Sequence, residues 1–478
     1  MQEDRAAATD RPPLQFVPST VLAVLSILLL LGLGLHRGLW AFMALAPFGA
    51  AAAFNLPALG GATIGVLDLA AVAIFCMVLL TRGTAGSLLG SFRPFGPGFW
   101  FALVMVVSFI ATMFFPRLFA GETSVFLIAR IEGMTRILQF PLQPTTGNIT
   151  QLFRLMLGFL TFAALATSFR RTSTVQPVLT ALAVATAINF ALGWLDVLTF
   201  QLGMTDLMSW LRSANYAMHI TDRMVGMKRM IGGFPEASSF GYFTLGLFGF
   251  WMQFWLLRPE NRLGRWMLAL STISVLRSTS SSAYIALVVF LGLFALYTIF
   301  ANLRPETSRR AFMLAAGGIL TAWVATVAVF ASYEYVQPVT DFLDRALFTK
   351  LDSQSGVERM GWNAQALQNA WDTYGLGAGL GSVRASNWVI ACLASIGVPG
   401  TVLFLAFMAS LGLAPSRPLS DPRAIVVRAL KAGCLAMLCA AVLTHSTPDM
   451  GVFFFALAGL LTGLSRALGI ESTAARAG

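Results

Sequence analysis

The sequence predicts an all-α polytopic membrane protein, because apolar stretches of membrane-spanning length recur along a chain with few charges. Of its 478 residues, 57% are hydrophobic and only 11% are charged, whereas an ordinary soluble domain has about 25% charged residues. A transmembrane helix needs about 20 mostly apolar residues. Clear examples are Phe99 to Phe115, Val175 to Phe200, Phe312 to Ala331 and Ala424 to Thr444. We therefore expect about 12 transmembrane helices, with 11 to 13 allowed.

The net charge of +11 arises largely from short basic loops between the apolar stretches. Cytoplasmic loops of membrane proteins are rich in Lys and Arg, so these loops are predicted to face the cytoplasm. Orientation in the lipid bilayer therefore accounts for most of the excess positive charge. No nucleic-acid partner is predicted. The residues are Arg82 and Arg93; Arg170 and Arg171; Arg258, Arg262 and Arg265; Arg304, Arg309 and Arg310; and Arg417, Arg423, Arg428 and Lys431.

With those loops inside, two long segments that mix acids, bases, Trp and Tyr fall on the outer side, and structured loops of such length usually carry function. The chain then divides into a cytoplasmic tail (1–19), transmembrane helices (20–200), a periplasmic loop (201–236), central transmembrane helices (237–331), a large, partly helical periplasmic loop (332–388), and C-terminal transmembrane helices with a short tail (389–478).

The N-terminal region has two short apolar runs, Thr20 to Leu35 and Leu39 to Phe54, on either side of His36 and Arg37. A cytoplasmic N-terminus requires the two runs together to make one net crossing of the membrane. Because no clear small-residue cleavage site follows the first run, we expect a retained anchor.

The cysteines and histidines indicate neither a disulfide nor a metal site. The cysteines lie in apolar segments without disulfide or zinc-ligand spacing and are expected to act as small hydrophobes. They are Cys76, Cys392, Cys434 and Cys439. The histidines are far apart and no Asp-x-Asp pair occurs, so neither a metal nor another cofactor is predicted. They are His36, His219 and His445.

Arg277 lies in an apolar hairpin between two predicted spans, next to a run of hydroxyl residues that begins at Ser278. An ionisable residue at membrane depth suggests a function, and a guanidinium suits phosphate because it donates two parallel hydrogen bonds. The hydroxyls can satisfy backbone groups where a helix breaks, and Ser278 is also a candidate for binding substrate. The alternative is an Arg277 side chain that reaches outward to the lipid headgroups.

A second polar cluster closes the loop 201–236 with Lys228, Arg229 and Glu236. Lys228 and Arg229 are candidates for binding an anion. Glu236 precedes an apolar stretch, where a carboxylate can cap the exposed N–H groups of a helix. A role for Glu236 as proton acceptor or arginine partner is equally consistent with the sequence.

The third cluster contains Arg359 and then four alternating glycines, Gly375 to Gly381, followed by Ser382, Arg384 and Asn387. Alternating glycines followed by Ser are similar to a phosphate-cradling loop. However, no Gly-Lys-Ser/Thr follows them, and their spacing does not fit the dinucleotide-binding pattern. These residues are therefore candidates for binding phosphate outside a nucleotide.

These three clusters resemble, in order, the motifs of the O-antigen polymerase and ligase family, which comprises Wzy-type polysaccharide polymerases and WaaL-like ligases. The family pattern is an Arg before Gly-x-Phe-x-Glu-Pro-Ser at a helix start, a hydroxyl-rich Thr-x-Ser-Arg-like hairpin, Ser-x-x-x-Arg, and Gly-x-Gly-x-Gly-Ser before a helix that ends in Gly-x-x-Gly. Ala237 replaces the usual Pro. The matches are Arg229, Gly232 to Ser238, Arg277 to Ser282, Ser355 to Arg359, Gly375 to Ser382 and Gly397 to Gly400.

The resemblance implies a metal-independent inverting glycosyltransferase that polymerises undecaprenyl-diphosphate-linked repeat units into exopolysaccharide or O-antigen. Donor and acceptor are both lipid-linked glycans, and the site faces the periplasm from the bacterial inner membrane. A chain-length regulator and a flippase of the same pathway are possible partners. On this reading Arg229, Glu236, Arg277 and Arg359 are catalytic, and Lys228, Ser278, Ser382, Arg384 and Asn387 bind substrate.

Two alternatives stay open at the level of sequence. The ligase branch of the family, which transfers a finished polymer to an acceptor, carries a catalytic His near the start of the helix after the glycines. Here that stretch, from Arg384 to Trp388, has Asn387 but no His, which favours a polymerase. A non-enzymatic transporter or flippase should bury charge near the membrane midplane in repeated halves, and no internal repeat is visible.

Overall fold

A computed structural model describes residues 14–57, 62–131, 134–224, 226–302, 317 and 354–477. In this part of the chain, nine helices are long and apolar enough to cross a membrane, which confirms the predicted class of all-α multi-pass membrane protein. The predicted span Phe312 to Ala331 lies, apart from residue 317, outside the described residues, so the total of about 12 stays a prediction. The helices are α1 Thr20–Ala44, α2 Val66–Leu80, α3 Ala85–Ser91, α4 Pro97–Leu118, α5 Thr146–Ser168, α6 Gln176–Gln201, α7 Ala237–Leu257, α8 Arg262–Arg277, α9 Ser281–Asn302, α10 Gln354–Asp372, α11 Trp388–Leu413, α12 Pro422–Thr444 and α13 Gly451–Ala477.

The described strands form three small antiparallel sheets. β1 (Gln15–Phe16), β2 (Ala52–Leu56) and β3 (Ala62–Gly65) form an antiparallel sheet in that order. β4 (Ser124–Ile131) and β5 (Met134–Pro141) form a hairpin between α4 and α5. β6 (Arg223–Met224) pairs with β7 (Met227–Lys228) just before α7.

The bundle has two chemically different ends. At one end, the loop 201–236 lies beside residues 359–384, because Arg229 is within electrostatic range of Arg359; we call this the site end. At the other end, Arg466 of α13 donates to Ser91 Oγ over 2.8 Å, beside Arg170 at the close of α5; we call this the basic end. The positive-inside rule predicts that the basic end faces the cytoplasm.

Helix α1 is one of the nine when its residues are counted as a single run, but it bends at Gly34 into a hairpin of two shorter arms. This differs from the single net crossing predicted for the N-terminal runs. Gly34 adopts a left-handed φ of 74° and breaks the helix, so that Ser26 Oγ donates to Ala41 O across the turn over 2.9 Å. His36, near this turn, contacts Thr172 at the basic end. The chain therefore returns to the site end, where Ser19 Oγ donates to Ala52 O over 2.7 Å.

This hairpin corrects the predicted position of the N-terminal tail relative to the bundle. Residues 14–19 lie at the site end, beside Ser213 of the loop 201–236, and residues 1–13 lie outside the described part. The sequence placed the break at His36 and Arg37, whereas the helix breaks at Gly34 and its second arm ends at Ala44. It did not reveal that a glycine with positive φ sends the second arm back along the first.

Small residues and phenylalanines build the core between the spans. Phe101 of α4 stacks on Phe407 of α11 and on Phe455 of α13, with ring centroids 4.8 and 4.7 Å apart. A Cβ added at Gly433 of α12 would lie 2.9 Å from Gly246 O of α7. Such close backbone approach is the usual role of glycine between transmembrane helices, and it holds the spans that carry the site.

Candidate functional site

A buried carboxylate, Asp196, near the site end of α6, fixes the loop 201–236. Asp196 is 1% exposed and forms ion pairs with Arg212 and with Lys228, whose Nζ lies 3.2 Å from Asp196 Oδ2. The same oxygen accepts from the backbone N–H of Ile231 over 2.9 Å. Because a buried charge is tolerated only when it is paired and hydrogen-bonded, this network determines the course of the chain leading to α7.

Two arginines connect that loop to the turn between α8 and α9. Arg229 Nε donates to Thr279 O over 3.2 Å, and Arg277 Nη1 donates to Lys228 O over 3.0 Å. Thr279 has a φ of 49°, a left-handed conformation that is costly for a β-branched residue. The two bonds therefore hold the guanidinium groups of Arg229 and Arg277 beside the turn between α8 and α9. The backbone of that turn is strained at Thr279.

Arg359 of α10 and Arg384, which precedes α11, face the same region. We call Arg229, Arg277, Arg359 and Arg384 the arginine cluster. Glu236 lies within electrostatic range of Arg229 and of Arg384, and Arg359 also acts on both. The structure thus brings Arg229, Arg359 and Arg384 together around the predicted carboxylate, although they are spread over more than 150 residues of sequence. Arg277 adjoins them through its bond to Lys228 O and through Tyr284, which both Arg229 and Arg277 influence.

Burial lowers the pKa of the Arg229 guanidinium and that of Arg384, because a low-dielectric surrounding disfavours the charged form. Asp222 and Glu236 oppose this effect at Arg229, whereas the positive charge of Arg359 adds to it. An arginine side chain stays protonated at any working pH. The cluster is therefore a partly desolvated concentration of positive charge, and it is suited to binding a multiply charged anion.

Arg384 has an unused hydrogen-bond donor. Its guanidinium carbon lies 4.3 Å from the centroid of the Trp362 ring, which fixes the plane of the group. Its Nε is buried without a hydrogen-bond partner among the described residues. A buried donor that lacks a partner is costly, and an anionic ligand in the cluster would satisfy it.

Glu236 precedes α7 but does not cap the helix with its side chain. Instead, its Oε1 accepts from Ser238 Oγ, and more weakly from Ser239 Oγ over 3.4 Å. The side chain is partly exposed. The carboxylate of Glu236 therefore does not cap α7, which was one of the two roles that the sequence suggested. It is available to interact with the arginines or to accept a proton.

Four predicted substrate-binding residues have their polar groups engaged inside the protein instead. Lys228 is 5% exposed and its Nζ donates to Asp196 Oδ2 and, over 2.7 Å, to Arg229 O. Ser278 is buried and donates to Val275 O over 2.7 Å. Ser382 is buried and accepts from Asn148 Nδ2 over 2.7 Å. Asn387 caps α11 by accepting from Val389 N over 2.9 Å.

The glycine loop, Gly375 to Gly381, is a packing element and not a phosphate cradle. The four alternating glycines all have positive φ. A Cβ at Gly377 would lie 2.5 Å from Gly397 N, and one at Gly381 would lie 2.3 Å from Gly147 O. The N–H groups are used internally, for example from Gly379 N to Ser395 O over 2.9 Å. The loop thus packs against α5 and the kink of α11, and thereby positions Arg384.

Sequence reasoning missed three residues of this region. Asp196 is an isolated charged residue within an apolar span, and this pattern could have identified it from the sequence as a candidate. Tyr284 of α9 lies within electrostatic range of both Arg229 and Arg277, and Asp222 lies 3.8 Å from Arg229 Nη1. Neither has a spacing that distinguishes it from an ordinary polar residue of a loop or helix start.

No protein-family model matches the chain, and no curated protein matches it either.

Proposed function

We propose that the protein is a membrane glycosyltransferase that polymerises lipid-linked oligosaccharide repeat units, with polyprenyl diphosphate as the leaving group. The observation that carries the proposal is the arginine cluster with Glu236 at the site end. Arg229, Arg359 and Arg384 lie around Glu236, and Arg277 adjoins Arg229 at the turn between α8 and α9. A membrane-embedded enzyme would use such a group of arginines to bind the headgroup of a lipid-linked substrate. Arginine is the residue best suited to a diphosphate, because its planar group donates paired hydrogen bonds and keeps its charge.

In this reaction, the acceptor hydroxyl oxygen forms a bond to the anomeric carbon of the donor, and the bond from that carbon to the diphosphate oxygen breaks. The electron pair goes to the leaving diphosphate, whose growing negative charge the arginine cluster would stabilise. Glu236 would accept the proton of the acceptor hydroxyl. Direct displacement inverts the anomeric configuration.

The proposed setting is the inner membrane of a bacterium, with the site end facing the periplasm. The basic end carries the residues that the positive-inside rule assigns to the cytoplasm, and the site end is opposite to it. A flippase delivering lipid-linked repeats to the periplasmic leaflet, and a chain-length regulator, are the expected partners of such an enzyme.

The test is complementation of a host deletion with the wild-type gene or with Arg277→Ala at equal protein levels, followed by sizing of lipid-linked and surface glycans on gels. A polymerase predicts that the deletion strain lacks long chains and accumulates single lipid-linked repeats. Wild type should restore long chains, and Arg277→Ala should lower their yield about 100-fold or more, as for loss of a transition-state donor. Arg223→Ala is the matched control, because Arg223 is an exposed loop arginine that lies over the Phe200 ring.

Other outcomes would replace the proposal. Long chains that are made but left on the lipid would indicate the ligase, which transfers a finished polymer. Single repeats trapped on the cytoplasmic face would indicate a flippase. Full activity of Arg277→Ala would contradict the assigned site.

A further inference from the structure

Two arginines meet at the basic end, far from the arginine cluster of the site end. A Cβ added at Gly90 of α3 would lie 2.9 Å from Arg466 Nη2 and 3.2 Å from Arg170 Nη1, so the two guanidinium groups approach the same point. Arg93 lies within electrostatic range of Arg466 and adds a third positive charge.

These guanidinium groups are only partly satisfied by neutral hydroxyls. Arg466 Nη1 donates to Ser91 Oγ over 2.8 Å, and Arg170 Nη1 donates to Ser87 Oγ over 3.4 Å. Arg170 Nε and Arg466 Nη2 are buried with no hydrogen-bond partner in the described part of the chain. Among the acidic side chains that the structure describes, none forms a salt bridge with either arginine. Because like charges at close range repel and buried donors need acceptors, the geometry calls for an anion.

An apolar groove of about 440 Å³ opens beside Arg466. It runs between α4, α11 and α13, with Trp100, Ala409 and Thr462 among its lining residues. Phe95 and Leu413, at its rim, are 77% and 84% exposed. Aromatic residues at the end of a span are typical of the lipid headgroup level. The groove thus leads from Arg466 to exposed apolar side chains at the end of the spans. We call the place where Arg170 and Arg466 meet beside Gly90 the recess.

We propose that this recess and groove bind one anionic phospholipid of the leaflet at the basic end. The phosphate would accept from the free donors of Arg170 and Arg466, and an acyl chain would lie along the groove past Trp100. Charge complementarity favours this occupant, because anionic lipids are attracted to basic pockets between transmembrane helices on the cytoplasmic side. The lipid would fasten α13 to α3 and α4.

The experiment measures thermal unfolding of the purified full-length protein in neutral detergent with added phosphatidylglycerol, phosphatidylcholine or inorganic phosphate. Phosphatidylglycerol should raise the Tm of wild type in a saturable way, and the other two additives should not. Arg466→Gln should weaken this response about tenfold or more, since a charge-assisted paired contact is lost. Arg466→Lys, which keeps the charge without the fork, should give an intermediate response.

Arg258→Gln is the matched control, because Arg258 is an exposed basic residue already paired with Glu260; it should respond as wild type. If Arg466→Gln does not fold, Arg170→Gln decides the matter by the same measurement. Equal responses of Arg258→Gln and the recess variants would overturn the proposal, as would an equal effect of phosphatidylcholine. An equal effect of inorganic phosphate would show a site for a soluble anion and would overturn the assignment to a lipid.

Discussion

At the scale of single residues, the structure separates groups that hold the site from groups that face it. Lys228 and Arg229 are adjacent in sequence, yet the side chain of Lys228 is 3% exposed and paired with Asp196, whereas the side chain of Arg229 is 25% exposed. Burial lowers the pKa of the Lys228 ammonium, and its pairing with Asp196 opposes that effect. A basic residue near a substrate is therefore not by itself a substrate-binding residue.

Replacement of Asp196 by Asn should destabilise the protein strongly. It would leave the positive charges of Arg212 and Lys228 buried without a partner, and the breaking of a buried ion pair costs about 3–5 kcal/mol. Thermal or denaturant unfolding in detergent measures the effect. Glu260→Gln is the control, since its pair with Arg258 is exposed and surface pairs contribute about 1 kcal/mol or less. Equal stability of the two variants would argue against the role given to Asp196.

The loop before α13 should make stability depend on pH through His445. Its ring lies against Tyr242, with centroids 4.3 Å apart, and burial lowers the pKa of His445 from 6.5 to about 4. Between these two pH values the unfolded chain binds a proton at His445 and the folded protein does not. The contribution of neutral His445 to the free energy of unfolding is therefore complete above pH 6.5 and is lost as the pH falls toward 4. His445→Gln should reduce the fall in Tm between pH 7 and pH 4.5.

The control for His445 is His219→Gln, because His219 is 56% exposed. That variant should retain the pH dependence of wild type. An unchanged slope in His445→Gln would assign the acid sensitivity to other groups.

At the scale of elements, the glycine loop shows how a motif can be found correctly and interpreted wrongly. The alternating glycines were visible in the sequence, but phosphate binding and close packing both require glycine, and only the three-dimensional contacts distinguish them. The position of the turn between α8 and α9 was predicted, because an arginine inside an apolar hairpin is an unusual pattern in a sequence. Contacts between Arg229 and Thr279 O, or between Arg384 and Trp362, depend on tertiary packing that no local pattern encodes.

Two substitutions in the glycine loop should separate backbone strain from steric overlap. Gly375→Ala meets only Val398, at 3.5 Å, but requires an L-residue at a φ of 73°, which costs about 1–2 kcal/mol. Gly377→Ala adds an approach of 2.5 Å to Gly397 N and should cost clearly more. Unfolding in detergent compares the two, and Gly412→Ala, with open space around it, is the control. Equal stability of all three would contradict close packing of the loop.

At the scale of the whole molecule, the hydropathy pattern predicted the membrane class and most helix positions, because a span needs only length and apolarity. It did not predict the path of α1, since one left-handed glycine decides between a crossing and a hairpin. The two ends of the bundle differ in chemistry. At the site end, Arg229 and Arg384 lie within electrostatic range of the carboxylate of Glu236, whereas the basic end has the partly unsatisfied Arg170 and Arg466.

The hairpin predicts which residues share a side of the membrane. Cysteines introduced at Gln15 and Met204, both exposed at the site end, should react from the same side with a membrane-impermeant maleimide. A cysteine at Ser173, exposed at the basic end, should react only after the membrane is permeabilised if the basic end faces the cytoplasm. If the maleimide labels Gln15→Cys and Ser173→Cys from the same side of the membrane and Met204→Cys from the other, the hairpin is wrong and the single net crossing is right.

The most direct test of the central claim is the affinity of the purified protein for a polyprenyl diphosphate in detergent. If the arginine cluster binds the diphosphate, Arg277→Gln should weaken binding about tenfold or more, the effect of removing a charge-assisted hydrogen bond. Arg223→Gln should bind as wild type, and the corresponding polyprenyl monophosphate should bind more weakly to wild type. Equal affinities of wild type and Arg277→Gln for the diphosphate would contradict the account.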